Sequence, residues 1–334
     1  MISPVDVFVA VFSLVLLVIP GFILAKTKLL NEGADKVLSN VVLYCAQPLL
    51  VFTSFQKSFE SEIAVNLIIV LALALVIHLL MLGFVYLVVR NRSKDPKKDA
   101  ARFASLFGNV GYLGIPFIQT LYKNLPDQMA IMVVYCSSIL FVFNILNWTI
   151  GVLMFSHDKK DVSPKKILLN PTIIGCIVGF LMFFVVQKPV IDWAGVGTSV
   201  NALDNILEKV IDVITSLSHL VTPLSMMVIG MKLSQIRFKE LFTNKLAYLV
   251  CLNKLIVMSL ICIVCVLFLP IDVNIKNVLF FTLSMPSAAS TALFAVRYNG
   301  DGKTASIMVI LSTILSIFTI TAMYYLFNSL SGIM

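Results

Sequence analysis

Charge is what this chain has least of. Charged residues make up 13% of its 334 positions and hydrophobic ones 59%, with a mean hydropathy of +0.99. A soluble globular domain is nearer a quarter charged. No soluble core of this length hides so much apolar surface, so lipid has to act as the solvent. Histidine is scarcer still: His78, His157 and His219 stand far apart, with no metal-ligand spacing between them. Nucleophile-elbow, phosphate-loop and His-Glu-x-x-His patterns are missing, so the chain is not expected to be an enzyme. The six cysteines (45, 136, 176, 251, 262 and 265) all fall in apolar stretches. No outward loop holds one that an oxidising compartment could pair, which excludes a disulfide framework. Cys262-Ile263-Val264-Cys265 has redox spacing but reads as small apolar filler in mid-helix.

Carboxylates are missing where many cation carriers need them. The 17 acidic residues lie in loops, at helix ends or on one amphipathic segment. Proton and sodium exchangers commonly take up their cation on a buried Asp or Glu. A pathway without fixed negative charge suits an anionic substrate, which a carboxylate would repel.

What is present is a series of apolar runs, each about 20 residues long, the length of a membrane-spanning helix. In lipid every backbone donor must be satisfied within its own segment, so helices are the expected spanning element. Ten spans are expected, at about 5–25, 35–56, 64–90, 101–122, 128–156, 168–187, 210–234, 246–269, 277–298 and 303–328. Met1-Ile2-Ser3-Pro4-Val5-Asp6 carries no basic n-region, so the first helix is expected to remain in the mature protein. With the N-terminus outside, the inward loops hold 19 of the 25 Lys and Arg residues, Arg92 among them. The outward loops hold five (Lys57, Lys123, Lys188, Lys209 and Lys276), and Lys254 lies inside a span. This asymmetry follows the positive-inside rule. It predicts a multi-pass protein of the cell (inner or plasma) membrane with both termini outside. It also turns the net charge of +8 away from a nucleic-acid partner and toward membrane lipid.

The polar, basic loop at 157–167 is the one internal seam. Five spans precede it, so a second similar half (168–334) enters the membrane inverted relative to the first (1–156). Inverted repeats are a common plan for secondary transporters. Pro48 in the second span and Pro116 in the fourth are matched by Pro223 in the seventh and Pro286 in the ninth, at similar separations. A mid-span proline removes a backbone hydrogen bond and clashes with the preceding turn, so these helices are expected to kink or break. Residues 192–222 read as an outer-surface amphipathic helix running into the seventh span. Leu203, Ile206, Leu207, Val210, Ile211 and Ile214 form its apolar stripe, and Asp204, Glu208 and Asp212 its solvated face.

The candidate site is neutral and polar. Phe107-Gly108-Asn109-Val110-Gly111-Tyr112-Leu113-Gly114-Ile115-Pro116 combines repeated glycine with the donors of Asn109 and Tyr112. Ser284-Met285-Pro286-Ser287-Ala288-Ala289-Ser290-Thr291 is small and hydroxyl-rich. Where two broken helices cross, half-helix N-termini present free N–H groups and positive dipole ends, which can hold a carboxylate. The expected substrate contacts are therefore Asn109, Tyr112, Gly114, Pro116, Pro286, Ser287, Ser290 and Thr291. Lys254 either adds a counter-ion or snorkels to the inner interface. His78 reads as a hydrogen-bonded packing residue. Gln47, Asn144, Asn147 and Trp148 read as pathway or interface groups.

At these residues the sequence resembles the auxin efflux carrier family, which includes bacterial malate and malonate permeases and the plant PIN carriers. Asn109 through Gly114-Ile115-Pro116 is similar to the N-x-x-x-x-G-I-P stretch of the plant fourth helix. Pro286 with Phe294-Ala295 and Tyr298-Asn299 is similar to the P…F-A-x-x-Y-N stretch of the ninth. The resemblance implies an all-α membrane protein of two inverted five-helix repeats with crossing helices 4 and 9. Helices 1, 2, 6 and 7 would form a scaffold, often dimeric and hence a homodimer here. Helices 3–5 and 8–10 would form a transport domain with elevator-like movement. It implies a small organic anion as substrate, with no cofactor beyond a coupling ion, sodium or proton. Ser287-Ala288-Ala289-Ser290 stands where plant carriers have Q-G-I-V, which argues against auxin itself. A sodium-coupled carrier of the bile-acid symporter or antiporter type is the alternative, and a membrane receptor a third.

Overall fold

The computed structural model describes residues 2–57, 59–90, 94–190 and 202–333. Arg92 and residues 192–201 of the expected amphipathic segment lie outside the described residues. Among the described residues the chain is helical, and the only sheet-like pairing is an isolated antiparallel bridge between Gly108 and Ser287. The longer helices are α1 (Pro4–Lys26), α2 (Ala34–Ser54), α3 (Ser61–Val88), α4 (Pro96–Leu106), α5 (Val110–Leu121), α6 (Pro126–Ser156) and α7 (Pro171–Val186). There follow α8 (Ala202–Ser218), α9 (Val221–Ser234), α10 (Lys245–Leu267), α11 (Val273–Leu283), α12 (Ser290–Arg297) and α13 (Gly302–Ile333).

Among the described residues seven stretches are long and apolar enough to cross a membrane: α1, α2, α3, α6, Glu208–Ser234 at the α8–α9 junction, α10 and α13. An eighth is α7, joined to Lys159–Leu168 through a bend of 47°. The loop expected at 157–167 therefore contains helix, and the span that follows it begins only at Pro171. The stretches expected as spans four and nine are each divided in two, as α4/α5 and α11/α12.

Side-chain caps start many of these helices in the way their sequences dictate. Ser3 and Asp6 close a reciprocal capping box ahead of Pro4. Asp95, Asn170, Asn244, Asp272 and Asp301 each accept from an amide in the first turn that follows. Such caps satisfy donors that a helix N-terminus otherwise leaves open.

The prolines do not mark the breaks as expected. Pro48 and Pro116 each lie shortly past a five-residue π turn, Val42–Ala46 and Val110–Gly114 respectively, and begin a regular α segment. Pro223 is the third residue of α9. Inside α2 and α5 the missing N–H of Pro48 and Pro116 deprives the carbonyl one turn back of its usual donor, and the π turn just upstream accommodates the ring. Pro223, in the first turn of α9, has no such partner to lose. Only Pro286 sits in unwound chain. The interruption in the fourth stretch falls at Phe107–Asn109, upstream of Pro116, where Phe107 turns extended (φ −88°, ψ 119°).

Helix contacts divide along the two long ends of the sequence. The second half of α1 packs against α9 so closely that a Cβ on Gly21 would overlap the Met227 backbone, and one on Gly230 the Val18 carbonyl. The later part of α2 packs on α7 through Gly175, against the Pro48 carbonyl. Small residues let helix backbones approach in this way inside a bilayer. Helix α13 runs beside α1, α10 and α12.

Candidate functional site

Two interrupted helices meet at their breaks. The Asn109 amide donates to the Pro286 carbonyl at 2.7 Å, and the Ala288 amide to the Phe107 carbonyl at 2.9 Å. Ser287 is held further: its Oγ donates to the Ala104 carbonyl at 2.9 Å, and its amide to Ser312 Oγ of α13 at 3.1 Å. Glycine at 108 makes the approach feasible, since a Cβ there would stand 3.3 Å from the Met285 carbonyl and 3.2 Å from Lys254 Nζ.

The N-termini of α5 and α12 border a cavity of about 650 Å³. Asn109, Val110 and Gly111 line it from α5 and its lead-in, and Ala288, Ala289 and Ser290 from the start of α12. Gln47 of α2 and Asn144, Asn147 and Trp148 of α6 complete its polar wall, with Leu140, Phe143 and Phe294 supplying apolar surface. Four of these residues carry a buried polar atom without a partner among the described residues: Gln47 Oε1, Asn109 Nδ2, Asn147 Oδ1 and Ser290 Oγ. Each such atom costs about 1–3 kcal/mol when left unpaired. Four around one cavity form a constellation that a polar ligand would satisfy.

The charged part of the lining is mostly cationic. Among the described residues Lys36, Lys165, Lys166, Lys232 and Arg297 face it, against a single carboxylate, Asp35. Arg297 also lies over the Trp148 ring, 5.6 Å from its centroid, which ties α12 to α6 across the cavity wall. Such a potential concentrates anions at the cavity mouth.

The expected site residues divide. Asn109, Tyr112 and Ser290 line the cavity; Gly114, Pro116, Pro286, Ser287, Thr291 and Lys254 do not. The backbone donors expected to be free at the crossing are in part taken, since the amides of Asn109, Ser287 and Ala288 all bond within the protein. The Thr291 hydroxyl closes on the Ala288 carbonyl at 2.7 Å. Pro116 acts at a distance: lacking an N–H, it cannot donate to the Tyr112 carbonyl one turn back, and Ser225 Oγ of α9 donates there instead at 3.0 Å. Gly114 meets only its own turn, whereas Gly111 makes room for the Gln47 amide. Lys254 does not snorkel. It is 1% exposed, with Nζ donating to the carbonyls of Leu283 at 3.0 Å and Leu106 at 3.4 Å. His78 packs as expected, its Nδ1 2.7 Å from the Ala74 carbonyl.

Lys36 and Asn40 of the cavity wall were not among the expected site residues. Their signal was available: Lys36, Asn40 and Gln47 share one helical face of an otherwise apolar span. The placement of Lys232 and Arg297 in the lining had no comparable signal, because what brings them together is the packing of α9 and α12.

Comparison with known proteins agrees with this architecture. Residues 6–324 match the family described as membrane transport protein. An uncharacterized transporter, MJ1031, of Methanocaldococcus jannaschii is 25% identical over 323 residues, covering 95% of this chain and 96% of that protein. A match across nearly the whole chain, over a helical membrane protein whose broken helices frame a polar cavity, assigns the chain to the membrane transport protein family, that of the auxin efflux carriers.

Proposed function

We propose that this transporter carries a small organic anion, a mono- or dicarboxylate such as malate or malonate, by alternating access. The observation that carries the reading is a cationic mouth leading to a neutral floor with an unpaired donor. Among the described residues five cations and one carboxylate face the cavity, and Asn109 Nδ2 is buried in its lining without a partner. An anion drawn in by the lysines would exchange water for Asn109 and for the positive ends of α5 and α12. A neutral site of this kind holds the anion without the full desolvation cost of a buried ion pair, which favours release as well as binding.

In this reading the seven long stretches, α7 and the two interrupted pairs together make ten spans, as two inverted five-helix halves. The cations at the mouth belong to loops that charge asymmetry assigns to the inside. The cavity then opens to the cytoplasm, and both termini lie outside. The close α1–α9 and α2–α7 contacts suit a fixed scaffold, through which two copies would pair. The body carrying the crossing would slide against it like an elevator, driven by membrane potential or a coupled ion. Purified protein in liposomes, offered a panel of labelled mono- and dicarboxylates, tests the proposal. Uptake of at least one of them under an imposed gradient is expected. Failure to move any, under pH, sodium or voltage gradients alike, would contradict it.

A further inference from the structure

Behind the crossing, on the side away from the cavity, a lysine is buried in a place where a cation is electrostatically required. Helices α4 and α11 end within a few residues of the crossing, at Leu106 and Leu283. Their final carbonyls converge on one ammonium, with Lys254 Nζ 3.4 Å from Leu106 O and 3.0 Å from Leu283 O. A helix C-terminus carries about half an elementary negative charge, so two together carry about one. A single ammonium balances that. Among the described residues no ion pair includes Lys254. Its counter-charge is therefore the pair of helix ends and not a carboxylate. It is also shut off from the cavity by Gly108, whose Cα faces the ammonium so closely that a Cβ would stand 3.2 Å from Nζ.

Leaving those helix ends unbalanced inside a low-dielectric protein would be costly, and a bare sodium or potassium ion is the other chemistry that could neutralise them. Backbone carbonyls are good ligands for such ions. Ser105 Oγ and Ser284 Oγ, each one residue from a carbonyl of the pair, are buried with no partner within the protein and could add oxygens. We propose that the Lys254 ammonium is a tethered cation filling what would otherwise be a monovalent-cation site. The crossing then needs no sodium, potassium or lithium from solution, and this carrier's driving force does not include an alkali cation bound there. The tether fixes the group in place: it cannot be diluted away and does not compete with ions on either side of the membrane. The inference concerns cation binding and holds whichever anion is carried.

Thermal unfolding of the purified protein tests it without any transport measurement. Wild type is expected to melt at one temperature in sodium, potassium, lithium and choline chloride at equal ionic strength. Lys254→Ala is expected to melt lower in choline chloride. It should recover in a concentration-dependent way with sodium or methylammonium, cations small enough to enter the vacated space. Stabilisation of wild type by sodium over choline would overturn the proposal, and that comparison holds even if the variant does not fold. A folded Lys254→Ala indifferent to both small cations would overturn it equally. Failure of the organic-anion reading would leave these melting curves unchanged, so the two are tested separately.

Discussion

The Asn109 amide and the Pro286 carbonyl, 2.7 Å apart, form the shortest of the hydrogen bonds described between the two interrupted helices at their crossing. That bond fixes the Asn109 backbone and leaves its side chain as the free element. The carboxamide Nδ2 is buried without a partner in the cavity lining, while the main chain is locked to the opposite broken helix. The arrangement separates structure from binding. The backbone holds the crossing together, and the side chain is held ready for a ligand.

Asn109→Ala is therefore expected to keep the fold and lose the substrate. Removing an unpaired buried donor relieves a penalty and does not create one, so the melting temperature should stay level or rise. A hydrogen bond to a charged ligand contributes about 1.5–3 kcal/mol. Apparent affinity should fall about ten- to a hundredfold in liposome uptake, and Asn109→Asp should fall further by repulsion. Unchanged kinetics in Asn109→Ala would remove this residue from the site.

Ser225→Ala probes how Pro116 is accommodated. Without the hydroxyl, the Tyr112 carbonyl loses its donor from α9 while Pro116 still offers none. A buried carbonyl left so costs about 1–3 kcal/mol, expected as a lower melting temperature. The double variant Ser225→Ala with Pro116→Ala should regain part of that loss, since an alanine in place of the proline restores an N–H one turn on. Additive losses in the double variant would count against the argument.

The α1–α9 contact should tolerate almost nothing larger than glycine. Gly230→Ala places a methyl group against the Val18 carbonyl, and overpacking of this kind costs about 1–3 kcal/mol. Gly83, with nothing within 4 Å of its would-be Cβ, is the control. Melting temperature should fall for Gly230→Ala and not for Gly83→Ala; equal behaviour would mean that the close approach is not maintained in the membrane.

The cationic mouth should act on capture and not on the chemistry of the floor. Lys165 and Lys166 are exposed at its rim, so Lys165→Gln with Lys166→Gln is expected to raise the apparent KM and leave the maximal rate nearly intact. Rim charges act through a screened potential, so the variant should also respond less to added salt than wild type. A salt dependence identical to wild type would argue against steering.

Much of the fold was legible because lipid imposes simple demands. Apolar runs of spanning length and the distribution of lysine and arginine are properties of single segments, and they located α1, α2, α3, α6, α10 and α13 to within a few residues. What the sequence obscured depends on partners far along the chain. Pro116 looked like the point of rupture, but the π turn ahead of it and the Ser225 hydroxyl accommodate it within α5. The break lies at Gly108, whose extended pairing with Ser287 no local pattern announces. Lys254 read as either snorkelling or facing substrate because its real partners, the Leu106 and Leu283 carbonyls, are 148 and 29 residues away. Asn109 was singled out by its neighbours in sequence. The agreement of its side chain with Gln47, Asn147 and Ser290 around one cavity needed three dimensions.

The most direct test of the account compares ligand-induced stabilisation of wild type and Asn109→Ala across a panel of small mono- and dicarboxylates. A ligand bound only by the folded state stabilises it by about 2.7 kcal/mol at a hundred times its Kd. At least one anion should raise the melting temperature of wild type and leave that of Asn109→Ala nearly unmoved. An anion that stabilises both proteins equally, or a panel in which none stabilises wild type, would contradict it.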